Sequence, residues 1–217
     1  MKRQFPARSD DARERLRIES IRMGAHGTAI IAAGGSSFLF RSEQAQELGL
    51  SLDSLALGLE LDEAQGELLV LAAEAYEAEQ KAYACLARAE QSVHMLSSKL
   101  EAKGYSRKAA RLAVERLQAE GLLSDRRFAD AYAASRLSRR AEGPASLVAS
   151  LRGKGVDGDT AKTAVASLMG PDQRRSALVK AAEKETRRSG GDREAVRRRL
   201  KSLGFKSDEI SEYFDPE

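Results

Sequence analysis

The chain has no tryptophan, one cysteine, two histidines and four prolines in 217 residues. A single thiol, Cys85, excludes an intramolecular disulfide and fits a reducing compartment. As a nucleophile it would need a base and an orienting partner, so a small buried residue is expected there instead. His26 and His94 are too few for a Cys/His metal site, which requires three or four ligands at short spacings. Neither GxxxxGK[ST] nor GxSxG occurs, which removes the phosphate-binding loop and the nucleophile elbow. No apolar run approaches the roughly 18 to 20 residues that span a bilayer. The N-terminal MKRQFPARSDDARER is charged and lacks the apolar core of a signal peptide. The expectation is a soluble cytoplasmic protein, monomeric, without catalytic residues, cofactor, metal or membrane partner.

What is present is charge, and it is divided. Residues 1–79 hold 8 basic and 14 acidic side chains, whereas residues 80–217 hold 28 and 19. Such asymmetry points the C-terminal part toward a polyanion, although solvated helix faces also carry many Lys and Arg.

A register of about fifty residues also runs through the basic part, within the range of helical arrays. Leu100, Leu151 and Leu200 each precede a glycine by four residues: Gly104, Gly155 and Gly204. Ala110, Ala161 and Ile210 follow those glycines in step, as do Val114, Val165 and Phe214. Ser92, Gly143 and Asp192, twelve residues before each glycine, are residue types that open helices.

The pattern predicts a frayed arm over residues 1–14, strands over Leu16–Met23, Thr28–Ala33 and Phe38–Phe40, and turns at Gly24–Gly27 and Gly34–Ser37. Ser42 is expected to cap a short helix ended by Gly49, and Asp62 to open a longer one. Three units of three helices follow: near Ala75–Ala89, Ser92–Lys103 and Ser106–Glu120; Asp125–Arg140, Pro144–Gly153 and Asp157–Met169; Asp172–Arg188, Asp192–Leu203 and Ser207–Phe214. The three glycines end helices in the left-handed conformation, and Ser106, Asp157 and Ser207 cap the next ones. The fold class is therefore mainly α, with tandem three-helix repeats in an elongated curved array behind a small N-terminal β-containing module. The expected divisions are 1–74, 75–124, 125–171 and 172–217.

Arg88, Ser92, Leu96, Leu100 and Lys103-Gly104 resemble the opening signature of the RecX family of recombinase regulators. Gly121-Leu122-Leu123-Ser124-Asp125, Phe128-Ala129 and Tyr132 resemble that family's most distinctive stretch, and Gly143-Pro144, Leu151 and Lys154-Gly155 continue it. The family often carries a bulkier aromatic residue where this chain has Leu122. The resemblance implies tandem three-helix units lying in the groove of the RecA–single-stranded DNA filament, impeding its extension or promoting its loss. It further implies inhibition of strand exchange, ATP hydrolysis and the coprotease role, and so a place in recombinational repair and the SOS response. The implied partners are the RecA filament, single-stranded DNA and duplex DNA. A DNA-binding regulator built of tandem helix-turn-helix-like units, reading base edges, is the alternative; a purely structural scaffold is a third.

The candidate contacts are cations set away from apolar stripes. Arg197, Arg198 and Lys201 fall opposite Val196, Leu200 and Leu203 at about 100° per residue, with Arg187, Arg188 and Arg193 flanking them. Arg107, Lys108 and Arg111 point away from Ala110, Val114 and Leu117. Arg136, Arg139 and Arg140 close one helix, with Arg152 and Lys154 beside Gly155. Arginine forks suit phosphates and carboxylates alike, so DNA and an acidic protein surface both fit, and i,i+4 pairs such as Glu194 with Arg198 supply the bland explanation. Phe128, Tyr132, Phe205 and Phe214 occupy repeat-core positions, and packing is expected of them.

Overall fold

Alternating apolar and polar residues at the start of the described chain form an antiparallel sheet of order β1-β2-β3, with β1 at Ile18–Met23, β2 at Thr28–Ala33 and β3 at Ser36–Arg41. The computed structural model describes residues 16–215, so the arm expected over residues 1–14 lies outside the described residues. Ile31 pairs with both Ile21 and Phe38. Because side chains alternate between faces, Ala29, Ile31, Ala33, Phe38 and Phe40 all reach the buried side. Gly34 and Gly35 both take positive φ, 54° and 70°, as the tight two-residue hairpin turn demands. The outer edge of β1 is partly covered, because Ile18 N–H donates to the Leu59 carbonyl and Gly58 N–H to that of Ile18.

Helix α1 spans Ser42–Glu47. The expected cap is displaced: Arg41 is the N-cap, Ser42 is the first helical residue, and its buried Oγ has no hydrogen-bond partner among the described residues. Arg41 ties this junction down, its Nε lying 3.0 Å from both carboxylate oxygens of the fully buried Glu79 and its guanidinium 5.7 Å from the Tyr76 ring. Helix α2 runs unbroken over Glu63–Leu86. Asp62 and Gln65 cap it reciprocally, Gln65 N–H donating to Asp62 Oδ1 at 2.8 Å and Asp62 N–H to Gln65 Oε1 at 3.1 Å. Past Gly66 no glycine or proline interrupts it. The helix opened by Asp62 and the one expected near Ala75–Ala89 are therefore a single element, and the division expected after residue 74 falls inside it.

The remaining helices are α3 (Val93–Glu101), α4 (Arg107–Ala119), α5 (Asp125–Arg139), α6 (Pro144–Arg152), α7 (Gly158–Leu168), α8 (Pro171–Arg188), α9 (Arg193–Ser202) and α10 (Ser207–Phe214). Asp157 caps α7 by accepting from the Asp159 and Thr160 amides. Ser207 does not cap α10; it is the first helical residue, and Glu209 reaches back to the Lys206 amide instead. Among the described residues no helix is long and apolar enough to cross a membrane.

The chain divides into two compact units, one running to Ala82 and including Leu100–Glu115, the other formed by Tyr83–Lys99 and residues from Arg116 onward. Residues 75–124, expected as one repeat, contribute to both. The first unit packs the inner face of the sheet against Leu50, Leu61, Leu69 and Ala72. In the second, α5, α6 and α7 share a core of Phe128, Leu147, Leu151, Val156 and Val165. Helices α8, α9 and α10 share one of Leu178, Val196, Leu200, Phe205 and Ile210.

Gly104, Gly155 and Gly204 have φ of 96°, 83° and 86°, the left-handed helix ends expected of them. Two of them do more. A Cβ on Gly155 would overlap His94, and one on Gly204 would overlap the backbone of Ser146. Each of these glycine turns is seated on the start of an earlier helix, α3 and α6 respectively.

Candidate nucleic-acid interface

Ion pairing sorts the candidate cations into those the fold uses and those it leaves to solvent. Arg136 belongs to the first group. Its Nε and Nη2 donate to the Glu142 carboxylate at 2.6 and 2.9 Å, and Ser146 Oγ adds a third donor at 2.9 Å. The Glu142 side chain is only 4% exposed. Burial pushes its carboxyl up, but the hydrogen bonds from Arg136 and Ser146, helped by the charges of Arg136 and Arg140, hold it below the usual carboxylate range. The same hydrogen bond raises Arg136. Arg136 and Lys154 also lie 5.9 and 5.1 Å from the centre of the half-buried Tyr132 ring.

Arg197 is likewise committed, which corrects its placement on a free arc with Arg198 and Lys201. Arg197 and Arg193 share Asp215, at 2.5 and 3.0 Å, and both lie over the Phe214 ring. Their hydrogen bonds draw the Asp215 carboxyl below its ordinary value, that from Arg197 most strongly. Helical spacing within α9 cannot show this, because the acid comes from the end of α10. Arg188 pairs with Glu185 at 3.4 Å. Arg107 with Glu101, Arg111 with Glu115 and Arg198 with Glu194 are 3.6 to 3.8 Å apart and exposed, and pairs of that kind contribute at most about 1 kcal/mol.

Lys108, Arg139, Arg140, Arg152, Arg187 and Lys201 are exposed and make no ion pair among the described residues. Arg139 and Arg140 are brought to the rim of a cleft of about 720 Å³ between the ends of α5 and α7 and the first turns of α8. Lys180, across the cleft, was not among the expected contacts, nor was Arg175 in the groove that adjoins it along α8. The burial of Leu178, Ala181 and Ala182 turns these cations outward. That much a helical period could have shown. Their proximity to Arg139 and Arg140 is tertiary. Cys85 is half-buried, not enclosed.

The stretch from Gly121 to Tyr132 holds the scaffold. Ser124 Oγ caps its own helix, accepting from the Arg127 amide at 3.3 Å. Asp125 Oδ1 instead accepts from the Val93 amide at 2.8 Å, capping α3 from outside it. Arg127 folds back to donate to the carbonyls of Gly121 and Leu122, both at 2.8 Å, and to Glu90 at 3.0 Å. Phe128 is buried and stacks on Tyr132 with centroids 5.8 Å apart. Leu122 is 46% exposed, so no pocket requires a larger ring there.

Residues 124–165 match the family model described as RecX, second three-helix domain. This stretch is similar to a RecX three-helix domain. The regulatory protein RecX of Xanthomonas campestris pv. campestris strain B100 is 40% identical over 91 residues, which are 42% of this chain and 56% of that one. The regulatory protein RecX of Bacillus subtilis strain 168 is 33% identical over 106 residues, 47% of this chain and 40% of that one. The chain thus spans about half the length of the curated relatives it matches. A crystal structure of regulatory protein RecX superposes with a TM-score of 0.70 at 20% identity, covering 93% of this chain and all of that one. RecX from Lactobacillus salivarius gives 0.58 at 20% identity, with 65% and 94% covered. At that identity the RecX structures establish a shared fold.

Proposed function

We propose that this protein limits the extension of RecA–single-stranded DNA filaments, as a non-enzymatic regulator acting in the cytoplasm as a monomer. The observation that carries the reading is the match of residues 124–165 to a RecX domain. In this stretch the buried and hydrogen-bonded groups serve the scaffold, and contact falls to cations outside the core. Of the expected contacts, Lys108, Arg139, Arg140, Arg152, Arg187 and Lys201 are available without breaking an ion pair among the described residues. Arg107, Arg111 and Arg198 exchange their loose pairs at little cost. A filament has few growing ends and many subunits, so blocking growth at a few points silences many ATP sites. On this reading the protein would act in recombinational repair and the SOS response.

The test is titration of the purified protein against RecA turning over ATP on single-stranded DNA. Turnover should fall at amounts well below one protein per recombinase subunit. Unchanged turnover at excess protein, with the fold verified by circular dichroism, defeats the reading. Protection of a defined duplex site in the absence of RecA would replace it with the tandem helix-turn-helix alternative.

A further inference from the structure

We propose that the cleft between α5, α7 and α8 is a subsite for one unstacked nucleotide of a single-stranded nucleic acid. The inference rests on the filament reading only for the choice of nucleic acid as partner, and it names where and how the strand is held. The cleft's volume of about 720 Å³ is within the range of roughly 300 to 1,000 Å³ typical of ligand sites. Its floor includes the half-buried Leu137, Leu168 and Ala177, an apolar surface against which a base face can lie. Arg139, Arg140 and Lys180 stand on its rim without ion pairs among the described residues. Elsewhere in the same unit Arg126, Arg127, Arg136, Arg193 and Arg197 are all held by carboxylates. Here Asp172 is the one acid in the lining, and the buried Glu142, which also feels the charge of Arg140, is already paired with Arg136.

Two features favour a strand over a free anion or an acidic peptide. First, the cleft does not end at its mouth. A second groove of about 540 Å³ continues along α8, shares Asp172, Ser176 and Lys180 with the first, and adds Arg175, Val179 and Glu183. Spaced cations along a continuous track suit successive phosphates of one chain. Second, Asp172, the one carboxylate lining the first cleft, can accept from the exocyclic amine of cytosine or adenine, a donor that a free anion or an acidic side chain lacks. Phosphates on Arg139, Arg140 and Lys180, a base over the leucines and an amine on Asp172 use every charged group lining the cleft.

The experiment is fluorescence anisotropy of labelled oligodeoxycytidine against an abasic strand of equal length, with no recombinase present. Removing the bases should weaken binding roughly tenfold, at the low end of stacking contributions. The double variant Arg139→Ala/Lys180→Ala should lower the log–log salt slope by about 1.4, at about 0.7 per phosphate contact. Lys162→Ala, an exposed cation outside the cleft, should leave the slope unchanged. Ser176→Glu, which puts a carboxylate at the mouth, should abolish the preference for bases. Asp172→Ala should erase any preference of oligodeoxycytidine over oligothymidine.

Equal affinity for abasic and base-bearing strands overturns the subsite, and so does a parental salt slope in the double variant. Binding of an oligoglutamate peptide that is lost in the double variant while oligonucleotide binding persists assigns the cleft to an acidic protein instead. Because RecA is absent, failure of the filament reading leaves these outcomes standing, and failure here leaves the ATP-turnover result standing.

Discussion

The Ser92 hydroxyl donates to the carbonyl of Lys154 at 2.6 Å, and the same oxygen accepts from the Met95 amide at 3.1 Å. One atom thereby caps α3 and holds the glycine turn that follows α6. At the next step along the chain the backbone does this work: Gly143 N–H donates to the Leu203 carbonyl at 2.7 Å. The fifty-residue register is thus a register of contacts as well as of helix ends.

Substituting the glycines separates the two roles. Gly104 has nothing within 4 Å of a built Cβ, so Gly104→Ala should cost only the backbone strain of its φ, about 1 kcal/mol. Gly155→Ala should cost clearly more in urea unfolding, because its Cβ also meets His94. Equal losses for the two variants would mean that the turn is not seated.

Asp125 tests the outside cap. Asp125→Ala should destabilise by about 0.5 to 2 kcal/mol, as loss of an N-cap does, and should increase amide exchange at the start of α3. Asp125→Asn keeps an acceptor for Val93 and should retain most of the stability. Equivalent losses from both would point to charge, not to the hydrogen bond.

The Arg136–Glu142 pair predicts a pH dependence. The folded state holds the Glu142 carboxyl below its ordinary value. The resulting stabilisation is fully present above the unfolded carboxylate value, near 4.3, and is lost as pH falls through the folded one. Glu142→Gln should therefore flatten the acid limb of the stability profile. Arg136→Leu leaves a buried carboxylate without its main donor and should cost about 1 to 3 kcal/mol or more at neutral pH. That cost should shrink on acidification. A loss independent of pH would show that the arginine stem, and not its charge, is what matters.

On α9 the cations should separate. Arg198→Glu/Lys201→Glu alters exposed positions and should change stability by under about 0.5 kcal/mol per site. It should weaken filament binding and, to a smaller extent, naked single-stranded DNA binding, with the salt slope falling by about 0.7 per lost phosphate contact. Arg197→Glu faces Asp215 and Phe214 and should lower the melting temperature as well. Unaltered binding by the double variant would leave this face merely solvated.

Most turns, and the apolar side of most elements, were legible in the amino-acid sequence, although the break expected after residue 74 falls inside α2. The strand Thr28–Ala33, the helix Ser207–Phe214 and the left-handed Gly104, Gly155 and Gly204 all follow from local chemistry: alternation, period and the freedom of glycine at positive φ. It also exposed the RecX stretch, because Ser124, Asp125 and Phe128 are residues whose types are dictated by caps and core. Tertiary structure decided what those residues meet. Asp125 caps a helix it does not belong to, Asp215 captures Arg197, and Arg139 and Arg140 face Lys180 across a cleft. Helical periodicity assigns a side chain to a face, but a charge is free or bound according to what another segment brings within a few ångströms. That distance is fixed only when the helices pack.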